Sequence, residues 1–133
     1  MSAPVSIREL MTDPDLFGGQ FGGGSWAAWR ALLAGFYGLP LNELDLEQFR
    51  RITSLPGPGQ AALLELWLAV GRRGGKSQIA ALVAVYEAAF KDYTDRLAPG
   101  EVATVMVIAQ DRKQARNVMR YITGLLHSNP MME

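Results

Sequence analysis

The chain has 133 residues, of which 49% are apolar, a formal net charge of zero and no cysteine. A sequence of this size supports one core, and the balanced charge excludes a protein that is basic throughout and coats nucleic acid. The lack of cysteine excludes a disulfide framework and a thiolate metal site, and it is compatible with a reducing cytosol.

The sequence before residue 60 predicts a helical preface. A short helix is expected over residues 7–11, and the glycine cluster over residues 17–24 is expected to be a flexible connection because it follows no strand. Ser25 predicts an N-cap for a helix over residues 26–37. The apolar side chains of that helix recur at helical spacing, which indicates core packing: Trp29, Leu32, Leu33 and Phe36.

A second preface helix is predicted over residues 45–53. Asp45 and Gln48 stand in capping-box positions at its start. Its apolar face consists of Leu46, Phe49 and Ile52. The run Pro-Gly-Pro-Gly at residues 56–59 then breaks the chain, so we expect it to separate a helical preface, residues 1–59, from the first part of a larger domain, residues 60–133.

The most informative segment is an apolar run, residues 66–70, that leads into Gly71-Arg72-Arg73-Gly74-Gly75-Lys76-Ser77. A strand, a glycine-rich loop and a following helix are typical of a phosphate-binding loop. Glycines leave backbone N–H groups open to an anion, the lysine can reach the outer phosphates and the serine can ligate Mg²⁺. The usual spacing would place a glycine where Val70 stands, so the loop is a variant. The alternative is a glycine-rich turn with a chance Gly-Lys-Ser.

The rest of the chain predicts a helix over residues 78–90, a buried strand over residues 102–109 and a final helix that Asp111 and Gln114 cap. The order strand, helix, strand, helix predicts an α/β fold with a parallel sheet. No further strand ends in the aspartate and glutamate that ATP hydrolysis requires, so we expect this P-loop sheet to be incomplete.

The final helix has two distinct faces. Arg112, Arg116 and Arg120 stand at i, i+4 and i+8, with Lys113 alongside, and they either contact a DNA backbone or form a solvated surface. The single histidine, His127, is expected at the surface. The opposite face is predicted to point inward: Ala115, Val118, Met119, Ile122 and Leu126.

The variant loop has an arginine just after its first small residue and Gly-Lys-Ser at its end. In this it resembles the loop of the phage terminase large subunit, the ATP-driven DNA-packaging motor. Residues 13–18, 25–30, 36–41 and 104–116 resemble the flanks of that loop in one terminase subfamily. The resemblance implies ATP and Mg²⁺ as cofactors, Arg72 as a catalytic residue at the γ-phosphate and Ser77 as the metal ligand.

The same resemblance implies that the segment ahead of the loop holds the adenine ring. Phe49 and Arg50 are candidates for this role, through stacking and cation contacts, and the alternative is a packed phenylalanine beside solvated arginines. The full set of residues expected to bind the nucleotide is Gly71, Arg73, Gly74, Gly75, Lys76, Ser77, Phe49 and Arg50.

The resemblance also implies partners and a location. The partners are double-stranded DNA, the terminase small subunit, the portal protein and further copies in the full motor. The location is the bacterial host cytosol. No membrane contact is expected, because no apolar stretch is long enough to span a bilayer.

The sequence thus predicts the N-terminal ATPase segment of a terminase large subunit. We expect this segment to be inactive alone, because the Mg²⁺-binding strand and the nuclease domain are absent. A truncated, non-catalytic nucleotide-binding or interaction remnant and a helicase-like P-loop NTPase are the alternatives.

Overall fold

A computed structural model describes residues 4–71 and 75–129. The chain divides into two compact units, Ser6–Ala69 and a second unit formed mainly by the residues from Val70 onward. The proline- and glycine-rich residues 56–59 lie inside the first unit, in the loop that follows its last helix.

The first unit is a small helical bundle. Its helices are α1 (Ile7–Thr12), α2 (Gly18–Phe21), α3 (Ala27–Phe36) and α4 (Glu43–Thr53), and a 3₁₀ turn over Gly24–Trp26 precedes α3. Helix α1 forms where the sequence predicts a short helix. The Ser6 hydroxyl accepts a hydrogen bond of 3.1 Å from the Glu9 N–H and so caps its first turn.

The core of the first unit comes from the apolar faces of these helices. Helices α3 and α4 pack against each other, and α3 also packs on α1. The spacing of apolar residues along α3 predicted such a packed face, and Leu32 and Leu33 are indeed buried, whereas Trp29 and Phe36 are half-buried. The buried apolar side chains of this unit are Ile7, Leu10, Met11, Phe17, Phe21, Ala31, Leu32, Leu33, Ala34 and Phe49.

The glycine cluster is folded, so the prediction of a flexible connection is wrong. It forms α2 and the 3₁₀ turn, and Phe21 is fully buried. The Arg30 guanidinium donates hydrogen bonds to the carbonyls of Phe21 (2.7 Å) and Gly23 (2.6 Å). The Arg30 side chain, which comes from α3, therefore satisfies backbone acceptors of the glycine-rich segment. The composition of that segment alone does not reveal this interaction.

The predicted starts of two helices are also corrected. Trp26, and not Ser25, stands at the N-cap of α3, and no side-chain hydrogen bond caps this helix. Helix α4 begins two residues before the predicted Asp45, because the Asn42 side chain accepts a 2.8 Å hydrogen bond from the Asp45 N–H.

The second unit is built on two packed helices, α5 (Lys76–Val85) and α6 (Arg112–Ser128). A π-helical turn over Tyr86–Phe90 continues α5, so together they cover the helix predicted over residues 78–90 and extend it by two residues. A 3₁₀ turn spans Thr94–Arg96. The buried side chains of the two helices include Ile79, Leu82, Val85 and Leu125.

The predicted α/β fold is wrong, since every regular element in residues 4–71 and 75–129 is helical. Both apolar runs that were predicted as strands, residues 66–70 and 102–109, lack regular structure. Trp67 is 90% exposed and Ile108 is 82% exposed. A continuous apolar run predicts burial but not a hydrogen-bonding neighbour, and a strand forms only where a second strand completes its ladder.

Helix α6 follows its predicted pattern with one correction. Asp111 caps it by accepting a 2.9 Å hydrogen bond from the Gln114 N–H, as predicted. Met119, predicted to point inward, is 49% exposed, whereas Leu125, which was not selected, is buried.

Candidate phosphate-binding site

Gly75 forms the entrance to α5. Its φ of 83° and ψ of 12° are left-handed, a conformation that glycine adopts without steric cost, and it occupies the N-cap position. Because it is a glycine, this N-cap residue has no side chain that could accept a hydrogen bond from the first turn. A helix start without a side-chain acceptor at its N-cap favours an anion beside it.

Lys76 and Ser77 are the first two residues of α5. The Lys76 side chain is exposed, and Ser77 is half-buried. A helix N-terminus carries about half a positive charge, so a lysine at this position is unfavourable unless an anion is bound beside it. The helix start and the lysine therefore present positive charge at the same place.

A cavity of about 280 Å³ adjoins Ser77. Its other described lining residues belong to α6: Asn117, Arg120 and Tyr121. These three stand at i, i+3 and i+4 and so share one helix face. Arg120 was expected in a surface stripe, whereas Asn117 and Tyr121 were not selected from the sequence. Their helical spacing was visible there, but the packing of α6 on α5 was not.

The other loop residues are only partly described. Gly71 is exposed, and a side chain added there would meet nothing within 4 Å. Arg72, Arg73 and Gly74 lie outside the described residues. The assignment of Arg72 to catalysis and of Arg73 and Gly74 to nucleotide binding stays a prediction from the sequence.

The two adenine candidates lie in the first unit. Phe49 is only 3% exposed, and its ring packs against Gly35 of α3. Arg50 is exposed, and its Nε donates a 2.6 Å hydrogen bond to the Pro56 carbonyl. The Phe49 ring thus has the packing role that was the alternative to adenine stacking. Contact of these two residues with adenine stays a prediction.

The described part of the second unit contains a further polar cluster that the sequence analysis did not select. It lies at a cavity of about 570 Å³, where the Tyr93 hydroxyl donates to the Glu87 carboxylate and the Lys91 Nζ lies 3.5 Å from Glu87 Oε1. Burial lowers the pKa of Lys91, but the hydrogen bond with Tyr93 and the charge of Glu87 together outweigh it and raise that pKa. The charges of this cluster balance one another, which is typical of a structural network.

No family model, curated protein or solved structure matches the chain. The terminase resemblance and its partners, double-stranded DNA, the small subunit and the portal protein, accordingly remain predictions from the loop and its flanks. Among the helices in the described ranges, none combines the length and apolar character needed to cross a bilayer.

Proposed function

We propose that this chain binds Mg²⁺-ATP at the start of α5 and is the N-terminal ATPase segment of a phage terminase large subunit. The observation that carries the proposal is the left-handed Gly75 immediately before Lys76 and Ser77. It brings the Gly-Lys-Ser sequence to a helix N-terminus whose N-cap residue has no side-chain acceptor, and there backbone N–H groups and positive charge both favour phosphate.

Each residue of this segment has a chemically suited role. Lys76 neutralises phosphate charge, and the N–H groups of the first turn of α5 donate to phosphate oxygens. Ser77 offers a hydroxyl oxygen beside the cavity, which is the type of ligand that Mg²⁺ prefers. The metal would lower the charge repulsion among the phosphates.

The loop arginines extend this proposal by resemblance. Arg72 would contact the γ-phosphate and stabilise the charge that develops there during transfer, while Arg73 would bind the nucleotide without a catalytic role. Packaging also requires DNA contact, and Arg112, Arg116 and Arg120 are exposed along α6 as a backbone-binding stripe requires.

A second candidate function is a non-catalytic nucleotide-binding module. It is favoured by the composition of the cavity beside Ser77, since none of the lining residues that the structure describes carries a carboxylate. Hydrolysis requires a carboxylate to hold Mg²⁺ and another group to orient water. The two candidates share the same binding site and differ in whether that site serves ATP turnover in a complete motor.

Calorimetric titration with Mg²⁺-ADP tests the shared site. Lys76→Ala should weaken binding by about 1.5–3 kcal/mol, because it removes a charge-assisted contact to phosphate. Lys113→Ala is the matched control: Lys113 is an exposed lysine on α6 outside the cavity lining, and its loss should change binding little. Absence of binding at millimolar ligand, or equal losses in the two variants, would contradict the proposal.

A further inference from the structure

We infer that Arg120 on α6, assisted by Asn117, contacts the phosphate chain of the bound nucleotide. This inference rests on the proposed nucleotide site at the start of α5. It adds residues from a second helix, distant in sequence, to a site that the motif alone confines to residues 71–77.

The geometry brings both helices to one cavity. Ser77 lines one side from the first turn of α5, and Arg120 and Asn117 line the other from the middle of α6. The packing of α5 on α6 fixes this arrangement, and each helix has buried apolar residues, among them Ile79 and Leu125. A phosphate group at Ser77 thus lies on the side of α6 that carries Arg120.

The charges at the cavity favour an anion. Arg120 lines the cavity, the start of α5 is positive, and in the described parts of the chain no ion pair engages Arg120. A phosphate group in the cavity would be attracted by both. The planar guanidinium of arginine binds phosphate oxygens through two parallel hydrogen bonds, which makes phosphate a well-matched anion.

The cavity has room for a phosphate group. It measures about 280 Å³, which is close to the lower end of the range of about 300–1,000 Å³ found for sites that hold whole small molecules. Asn117, a half-buried amide in the same lining, can donate to a phosphate oxygen as well.

The inference divides the arginine stripe of α6. Arg116 is exposed on the same helix, one turn before Arg120, but it is not part of the cavity lining. Arg112 is likewise outside the cavity. Arg120 belongs with the nucleotide, while the other two remain available to a DNA backbone. Arg116 is therefore a matched control of equal charge.

The test compares Arg120→Gln with Arg116→Gln by calorimetric titration with Mg²⁺-ADP and with pyrophosphate at one fixed salt concentration. Arg120→Gln should weaken binding of both ligands about tenfold or more, because it removes a charge-assisted contact. Arg116→Gln should weaken binding less than twofold, because it changes only the long-range field. Far-UV circular dichroism verifies that both variants keep their helices.

Three results separate the inference from the proposed function. If Lys76→Ala weakens binding and Arg120→Gln does not, the inference is overturned and the proposed site stands. Equal losses in Arg120→Gln and Arg116→Gln also overturn it, since they indicate a general charge effect. Absence of binding in the unmodified chain overturns the proposed function itself. If Arg120→Gln loses helical signal, Asn117→Ala decides: a loss of threefold or more supports the inference, and unchanged affinity overturns it.

Discussion

Gly35 of α3 lies directly against the ring of Phe49 of α4, so closely that a Cβ atom at position 35 would overlap the ring. Phe49 is 3% exposed, and Gly35 is buried too. Glycine in a helix interior is normally unfavourable because it adds backbone entropy to the unfolded chain. At this position it allows the two helices to pack around an aromatic ring, so the close approach of α3 and α4 depends on it.

The contact predicts opposite effects for the same substitution at two glycines. Gly35→Ala should destabilise the first unit by about 1–3 kcal/mol, because the ring must move inside a packed core. Gly124 lies within α6 with nothing near its missing Cβ, so Gly124→Ala should stabilise by about 0.5–1 kcal/mol. Urea unfolding of each variant measures the change in the free energy of unfolding and so its sign.

A double mutant isolates the contact with the ring. Phe49→Leu removes part of the ring, so Gly35→Ala should cost less in that background than in the natural chain. Additive losses would show that Gly35 matters for another reason. If Gly35→Ala were instead as stabilising as Gly124→Ala, the packing of α3 on α4 described here would be incorrect.

Helix capping supplies a second prediction. Asn42→Ala should destabilise the first unit by about 1 kcal/mol, because it removes the acceptor for the Asp45 N–H. Ser25→Ala should change stability by less than about 0.5 kcal/mol, since Ser25 is exposed and caps no helix. The unfolding midpoints of the two variants, measured by circular dichroism, test this difference. A larger loss of stability in Ser25→Ala than in Asn42→Ala would show that Ser25 is the residue that caps a helix.

A pH prediction follows from Asp92. Its carboxylate accepts hydrogen bonds from the Thr94 hydroxyl (2.7 Å) and the Thr94 N–H (2.9 Å), which lower the pKa of Asp92 below its ordinary value of 3.8. A lowered carboxyl pKa adds stability above the unfolded value, and this stability is lost as the pH falls through the folded value.

Thr94→Val removes the hydroxyl donor and keeps the backbone donor. The pKa of Asp92 should therefore rise toward its ordinary value without reaching it. An NMR titration of the Asp92 carboxyl carbon measures the change, and Thr94→Ser, which keeps a hydroxyl, is the control. An unchanged titration midpoint in Thr94→Val would assign the shift to another cause.

The fold could be predicted where local interactions decide it. The Asp111 cap and the helical spacing of residues 115–126 are local signals, and α6 begins where they indicate. The prediction that the two apolar runs at residues 66–70 and 102–109 form strands was wrong. Their hydrophobicity is a local property, whereas a sheet depends on pairing between distant segments.

The candidate site shows the same division. Lys76 and Ser77 could be selected from the sequence because adjacent residues form a phosphate motif. Asn117 and Tyr121 could not be selected in this way, since only the packing of α6 on α5 brings them to the cavity that Ser77 lines. The role of Phe49 in packing was likewise undecided by the sequence, because one aromatic residue on a helix face fits both a core and a base-stacking site.

The final prediction is that this chain binds ATP without hydrolysing it. Among the described residues, the lining of the cavity beside Ser77 offers a hydroxyl, an amide, a guanidinium and a phenol, but no carboxylate to hold Mg²⁺ or orient water. Single-turnover hydrolysis with the chain in excess over ATP should be no faster than in Lys76→Ala, which loses the phosphate contact. The variant, purified in the same way, controls for contaminating ATPase. A rate clearly above that of the variant would mean that carboxylates from elsewhere in the chain reach the nucleotide, and the non-catalytic alternative would then be wrong.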